Sequence, residues 1–418
     1  MSLSVKEVIL REIQANGKLT FAKFMDLVLF APDEGYYSSG SRFPPSVDYF
    51  TSPQAHPIFG ALLYRQLEQM WDLLEHPHPF TVLELGGGNG LLARDLLIAA
   101  ADSKSSFSDS LQYIVSDRQE GMLLQSAHAS GAQKVITNQL PFRKMVGCII
   151  SNELLDAFPV HRFRIHSGQV QELYVESDGN GELVEVTGIP STPLLAQRLR
   201  DLGIRLEDGF VGEINLNLRS WMEDVSQTLD RGFVVTIDYG HLAHVLYSKQ
   251  RSSGTLRCYY RHTLNSNPYA HVGDQDITSH VDFTTLIKEG DRRGVHTIGL
   301  TTQATFLSNL GAMEFHRALT ARDIPQSIRS ANQMAIRSLL KLEGLGGLRV
   351  LIQGKDIFNP QLHGLTSNNP LVRRLRANFR TLTPPLLTSD HVPLLAGAYP
   401  HLLQESAWEA IWNEHISQ

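Results

Sequence analysis

At 418 residues, with 42% hydrophobic and 19% charged side chains, the chain is long enough for one large domain with insertions or for two domains, and its composition is that of a packed globular protein. Thirty-seven Lys and Arg against 43 Asp and Glu leave a net charge of −6, which gives no global attraction to a phosphate backbone and argues against nucleic acid as the main partner. Cys148 and Cys258 are too few for a disulfide framework and lack zinc-site spacing, no apolar run approaches the ~18 residues of a membrane span, and MSLSVKEVILREIQANG resembles neither a signal nor a transit peptide, so a reducing, cytoplasmic setting is expected.

In chain order, helical spacing predicts a first helix over about Ser4–Gln14, stopped near Gly17, and a second over about Thr20–Phe30, ended by Pro32. A Gly-, Pro- and Ser-rich loop follows, Asp33–Pro53, which carries Tyr36, Tyr37, Tyr49 and Phe50; a loop of that length and composition is a candidate lid. From Pro79 strands and helices alternate: PFTVLEL (strand), GLLARDLLIAA (helix), LQYIVSD (strand), RQEGMLLQSAHA (helix), VGCIISNE (strand) and, after an interruption, RGFVVTIDYG (strand). Apolar strands interleaved with helices predict a parallel sheet covered on both faces, with its ligand crevice at the carboxyl ends of the strands. The interruption, HRFRIHSGQVQELYVESDGNGELVEV, alternates as antiparallel strands do around Asp178-Gly179-Asn180-Gly181 and reads as an inserted hairpin. A second insertion, about Leu242–Asp282, is rich in His and Tyr. GVHTIGLTTQATFLSNLG returns to strand and helix, and beyond about Lys355 the periodicity fades into coil. These boundaries suggest an N-terminal helical module with the aromatic loop (1–78), a main domain (79–355) with insertions at about 161–230 and 242–282, and a C-terminal extension (356–418).

The chemistry-bearing motifs fall at the strand ends. Glu84, Gly86, Gly88 and Gly90 spell ExGxGxG where the first apolar strand stops; glycines there let the backbone approach a nucleoside, and the free amides of the next helix point at the ligand. A dinucleotide pattern traced through Gly88 and Gly90 starts two residues too late. Asp117 ends the second strand, where a carboxylate can accept both ribose hydroxyls of an adenosyl group, or cap the helix expected after it. SNELLDAFPV puts Asn152 at the rim of the crevice beside Glu153 and Asp156. On a helical turn the two acids would share a face and could grip a guanidinium through its fork of donors; a helix cap plus a surface acid is the alternative. Asp238 and Tyr239 close the next strand, and DITSHVDF offers Asp276, His280 and Asp282. With 17 histidines in the chain, His280 reads better as structural or solvent-facing than as a metal ligand or base, and no metal is expected.

Taken together, GYYSS, DYFTSPQAHPIFG, LELGGGNG, SNELLDAFPV, TIDYG, DITSHVDF and GLTTQATFLSNLG, in that order, resemble the MidA family of S-adenosylmethionine-dependent methyltransferases, over about residues 5–355. The chain departs from the family's pattern at Gly87, where Pro is common, at Ser46-Val47-Asp48, and in GGLRVLIQGK, which lacks the usual Met-Gly-Glu. The resemblance implies an α/β, Rossmann-like seven-stranded methyltransferase sheet with S-adenosyl-L-methionine as cofactor. From the family's mitochondrial complex I assembly factor it further implies a protein arginine methyltransferase acting on a respiratory NADH dehydrogenase subunit. Glu84, Gly86, Gly88, Gly90, Asp117 and Asn152 would then bind cofactor, and Glu153 and Asp156 would be catalytic. The rival readings are a cofactor-binding assembly chaperone with little turnover, a small-molecule methyltransferase and, disfavoured by the glycine offset, an NAD-linked dehydrogenase. The partner expected is an arginine-containing client protein, and a homodimer is left open.

Overall fold

The computed structural model describes residues 3–38, 51–118, 131–140, 142–261 and 263–391. The chain divides into two units, the first made of Met1–Asp48, Glu153–Asp224 and Asp238–Arg293, the second of Tyr49–Asn152, Val225–Ile237 and Gly294–Gln418.

The second unit is built on a seven-stranded sheet. Its strands are β1 (Phe80–Leu85), β2 (Leu111–Asp117), β3 (Gln133–Ile136), β4 (Met145–Asn152), β5 (Leu229–Asp238, of which Asp238 belongs to the first unit), β6 (Val295–Thr302) and β7 (Arg349–Lys355). They lie in the order β6-β7-β5-β4-β1-β2-β3. The pairs β1·β2, β2·β3, β1·β4 and β4·β5 are parallel, and β6·β7 is antiparallel. Every residue of β1 is buried, which is why FTVLEL reads as a continuous apolar run rather than an alternating one. The chain runs outward from β1 through β2 to β3 and returns to β4 on the other side of β1. This reversal is a topological switch point, where α/β sheets bind ligands at the carboxyl ends of their strands. Helix Leu91–Ser103 follows β1 and packs on helix Ile58–Leu73. The approach is close enough that a Cβ on Gly60 would lie 2.9 Å from Asp95 Cβ. Tyr64, Trp71, Phe80 and Phe107 fill the space beneath, with Phe107 5.3–5.6 Å from each of the other three rings.

The first unit joins segments far apart in sequence. Helix Val5–Asn16 opens on a capping box, in which the Ser4 hydroxyl accepts the Glu7 N–H (3.3 Å) and the Glu7 carboxylate accepts the Ser4 N–H (2.8 Å). Helix Phe21–Phe30 has Thr20 as its N-cap, and Leu19–Thr20 adds a short strand to a five-stranded antiparallel sheet. The rest of that sheet is His161–His166, Gln169–Ser177, Leu183–Gly188 and Val211–Ile214. The expected hairpin is present: Gln169–Ser177 pairs with Leu183–Gly188, and Asp178 Oδ1 accepts the N–H groups of Asn180 and Glu182, both at 2.8 Å.

Three sequence expectations need comment. No helix forms at Glu153–Asp156; the segment is a turn with Glu153 in the left-handed region (φ 50°), so the two acids do not share a helical face. The C-terminal stretch is not all coil, because Pro370–Ala377 is a helix whose N-cap Asn369 accepts the Val372 N–H (3.0 Å) and donates to Asn309 O, His363 O and Thr366 O. The helix expected at RQEGMLLQSAHA and most of the aromatic loop lie outside the described residues.

Candidate functional site

Within the second unit, the turn after β1 is shaped by backbone bonds across to β2. The N–H of Gly86 donates to Ser116 O (2.9 Å), and the N–H of Gly88 donates to the Asp117 carboxylate (3.1 Å). Gly86, Gly88 and Gly90 have φ of 69°, 52° and 76°, values that side chains other than glycine's rarely adopt. A Cβ on Gly88 would meet nothing within 4 Å, whereas one on Gly87 would overlap Val115. Among the described residues nothing fills the space at the bare face of Gly88, beside Asp117 and just ahead of helix Leu91–Ser103, where free helix amides favour a nucleotide-type ligand. Glu84 behaves differently. It is 4% exposed and accepts the Tyr113 hydroxyl (2.8 Å), so its carboxyl faces into the sheet. Burial, reinforced by the nearby Asp117 charge, pushes its pKa up to about 8. Asn152 closes β4 next to β1 and is in register with Ile237 of β5.

In the first unit the turn Glu153–Phe158 is organised by a residue to which sequence reasoning gave no role. Asp238 is fully buried; its Oδ2 accepts the N–H groups of Leu154 (3.2 Å) and Leu155 (2.8 Å), and its Oδ1 accepts that of Tyr239 (2.8 Å). Asp156, 6% exposed, lies within electrostatic reach of Asp238 and Asp276. Its pKa is raised well above the carboxylate range by burial and by those two like charges. Asp238 is raised to about 7, chiefly by burial and further by the Glu153 charge. Neither Asp156 nor Asp238 pairs with a Lys or Arg among the described residues. Asp276, 1% exposed, accepts the Tyr37 hydroxyl (2.9 Å), which ties the start of the aromatic loop to this cluster.

The other motif residues divide by role. Asp282 caps helix Phe283–Asp291 by accepting the N–H groups of Thr284 and Thr285. His280 stacks at 6.4 Å on Tyr239, and burial and neighbouring positive charge push its pKa down to about 4, so its ring is neutral. Among the described residues no group of three or more His, Cys, Asp or Glu is arranged to hold a metal ion, and no helix is long and apolar enough to cross a membrane. The signal that could have singled out Asp238 was its place at the carboxyl end of an apolar strand, which it shares with Glu84 and Asp117.

Comparison with known proteins agrees with this geometry. Residues 62–301 match the model of a family described as "Putative S-adenosyl-L-methionine-dependent methyltransferase". A crystal structure of a protein from Burkholderia thailandensis bound to S-adenosylhomocysteine superposes with a TM-score of 0.75 at 29% identity, covering 86% of this chain and 94% of that one. The mitochondrial protein arginine methyltransferase NDUFAF7 homolog of Drosophila melanogaster is 27% identical, over 78% of each chain. The human protein arginine methyltransferase NDUFAF7 is 26% identical, over 72% of this chain and 71% of its own. The fly and human relatives are named mitochondrial, which overturns the expectation of a cytoplasmic protein; that expectation rested on the two cysteines and on the look of the first residues. With the methyltransferase strand order, the open glycine turn and the family match in agreement, the chain belongs to the MidA-like family of S-adenosylmethionine-dependent methyltransferases.

Proposed function

We propose that this methyltransferase acts on the guanidinium of a protein arginine, in a client that is a subunit of a respiratory NADH dehydrogenase. The observation that carries the arginine reading is Asp156, a buried carboxyl raised by burial and by the charges of Asp238 and Asp276, with no cationic side chain bound to it among the described residues. Such a carboxyl, with Glu153 three residues before it, favours an incoming cation, and a planar guanidinium can satisfy two carboxylates through its fork of donors. The names of the fly and human relatives support the same substrate class, and the complex I client follows from the family resemblance.

In this reading the turn Gly86–Gly90, Asp117 and Asn152 hold the cofactor, and Glu84 shapes the turn from behind through Tyr113. When bound, S-adenosylmethionine supplies an electrophilic methyl group on its sulfonium. Glu153 and Asp156 orient the guanidinium so that one nitrogen is aligned for attack, and positioning of this kind contributes up to about 7–11 kcal/mol in favourable systems. The arriving positive charge lowers the pKa of Asp156, which gives up its proton to solvent and then accepts the one that the methylated nitrogen must lose.

Incubating the purified chain with S-adenosylmethionine and arginine peptides, and reading methylated arginine by mass spectrometry, tests the activity. Glu153→Gln and Asp156→Asn should keep S-adenosylhomocysteine affinity but slow transfer by roughly ten- to a hundredfold each, because an amide cannot reproduce a charge-assisted bond of about 1.5–3 kcal/mol. Wild-type turnover in both variants would return these residues to a purely structural role.

A further inference from the structure

The chain leaves β4 by an uncommon route. Glu153 takes a left-handed backbone conformation (φ 50°), which a side chain adopts only where the surroundings enforce it. What enforces it lies 83 and 84 residues away in sequence: the Leu154 and Leu155 N–H groups converge on the single oxygen Oδ2 of Asp238, and the other oxygen is held by the Tyr239 N–H. Three backbone donors, and no cation among the described residues, compensate this fully buried carboxylate. Leu154 and Leu155 are the two residues that separate Glu153 from Asp156, so their anchorage sets where both acids stand. Among the described residues the Leu154 and Leu155 N–H groups have no other acceptor, and a neutral amide at position 238 offers one acceptor atom where the carboxylate offers two.

We infer that Asp238 is the positioning residue of the methyl-transfer site: without touching substrate, it holds the Glu153–Asp156 turn in the geometry that turnover requires. This inference rests on the reading of Glu153 and Asp156 as the guanidinium clamp. It differs from a general contribution to folding, because it assigns the effect to two named amides and to the chemical step, not to cofactor binding.

The test uses the full chain carrying Asp238→Asn. Steady-state transfer to an arginine peptide should lose at least about tenfold in kcat, while S-adenosylhomocysteine affinity and the KM for S-adenosylmethionine stay within about twofold. Hydrogen exchange at the Leu154 and Leu155 amides should accelerate. Unchanged kcat overturns the proposal, and so does parallel loss of cofactor affinity and turnover in a variant that remains folded, which would make Asp238 part of the scaffold. Should Asp238→Asn fail to fold, a backbone ester at Leu155 decides the matter. It removes one of the donors and leaves the side chain in place; reduced kcat with intact cofactor binding supports the assignment, and wild-type kcat overturns it. If the wild-type chain methylates no arginine, the arginine reading fails, and exchange at the two amides still reports whether Asp238 holds the turn.

Discussion

Glu84 illustrates how far residue type and residue environment can diverge. Its identity and its place at the end of β1 are plain in the sequence, and they suggest a carboxylate presented to a ligand. Its hydrogen bond to Tyr113, 29 residues on, turns it into the sheet, where burial and the Asp117 charge outweigh the Tyr113 hydroxyl's preference for the carboxylate and favour the protonated form up to about pH 8. Because the folded pKa lies above the ordinary value of 4.5, the folded state binds the proton more tightly than the unfolded chain does. The resulting stabilisation is fully present below about pH 4.5 and is lost as pH rises through about 8, with an effect on the order of a few kcal/mol across that interval. Glu84→Gln cannot ionise and still accepts the Tyr113 hydroxyl through its amide oxygen. Thermal melts from about pH 5 to about pH 9 should therefore show the variant gaining on wild type as pH rises. Parallel melting curves would mean that Glu84 ionises freely in the folded protein.

At the scale of elements, local chemistry written in the sequence was legible and contacts between elements were not. The hairpin at Asp178 was readable because an Asx-type side chain two and four residues ahead of its donors makes the turn by itself. Helix Pro370–Ala377 escaped notice although its Asn-Pro start is a capping signal, because the surrounding Asn, Ser and Gly residues read as coil. Its Asn369 is 3% exposed and links the helix start to Asn309 O and His363 O, at 2.9 Å each, so one side chain serves as both cap and tertiary tie. Asn369→Ala should cost about 2–4 kcal/mol, the sum expected for a cap and buried hydrogen bonds lost together, and should lower the melting temperature by several degrees. Circular dichroism melts measure this directly, and an unchanged midpoint would show that the helix holds without its cap. The turn after β4 was misjudged for a related reason: Glu153 and Asp156 have helical spacing, but the Asp238 carboxylate captures the amides between them before a helix can form.

At the scale of the whole molecule, cofactor binding should be visible as stability. A ligand that binds only the folded chain stabilises it by about 2.7 kcal/mol at a hundredfold excess over its Kd, so S-adenosylhomocysteine should raise the melting temperature in a concentration-dependent way and NAD should not. Gly88→Val should abolish that response. A Cβ there meets no atom of the described residues within 4 Å, so a branched side chain would project into the space the turn leaves open, in a backbone conformation that valine tolerates poorly. A full thermal shift in Gly88→Val would place the cofactor elsewhere, and a shift with NAD alone would contradict the family assignment.

By itself the sequence determined the strand–helix alternation, the glycine turn with its flanking acids at the ends of β1 and β2, and the family. Each of these depends on residues close together along the chain, whose periodicity and backbone preferences act before any long-range contact forms. Only the tertiary structure decided which carboxyls are buried and raised, how the N-terminal helices, the hairpin insertion and the segment after β5 join in one unit, and that Asp238 holds the turn at Glu153. These outcomes depend on desolvation and on hydrogen bonds between segments more than 80 residues apart, and no local pattern encodes which distant amide a buried carboxylate will meet.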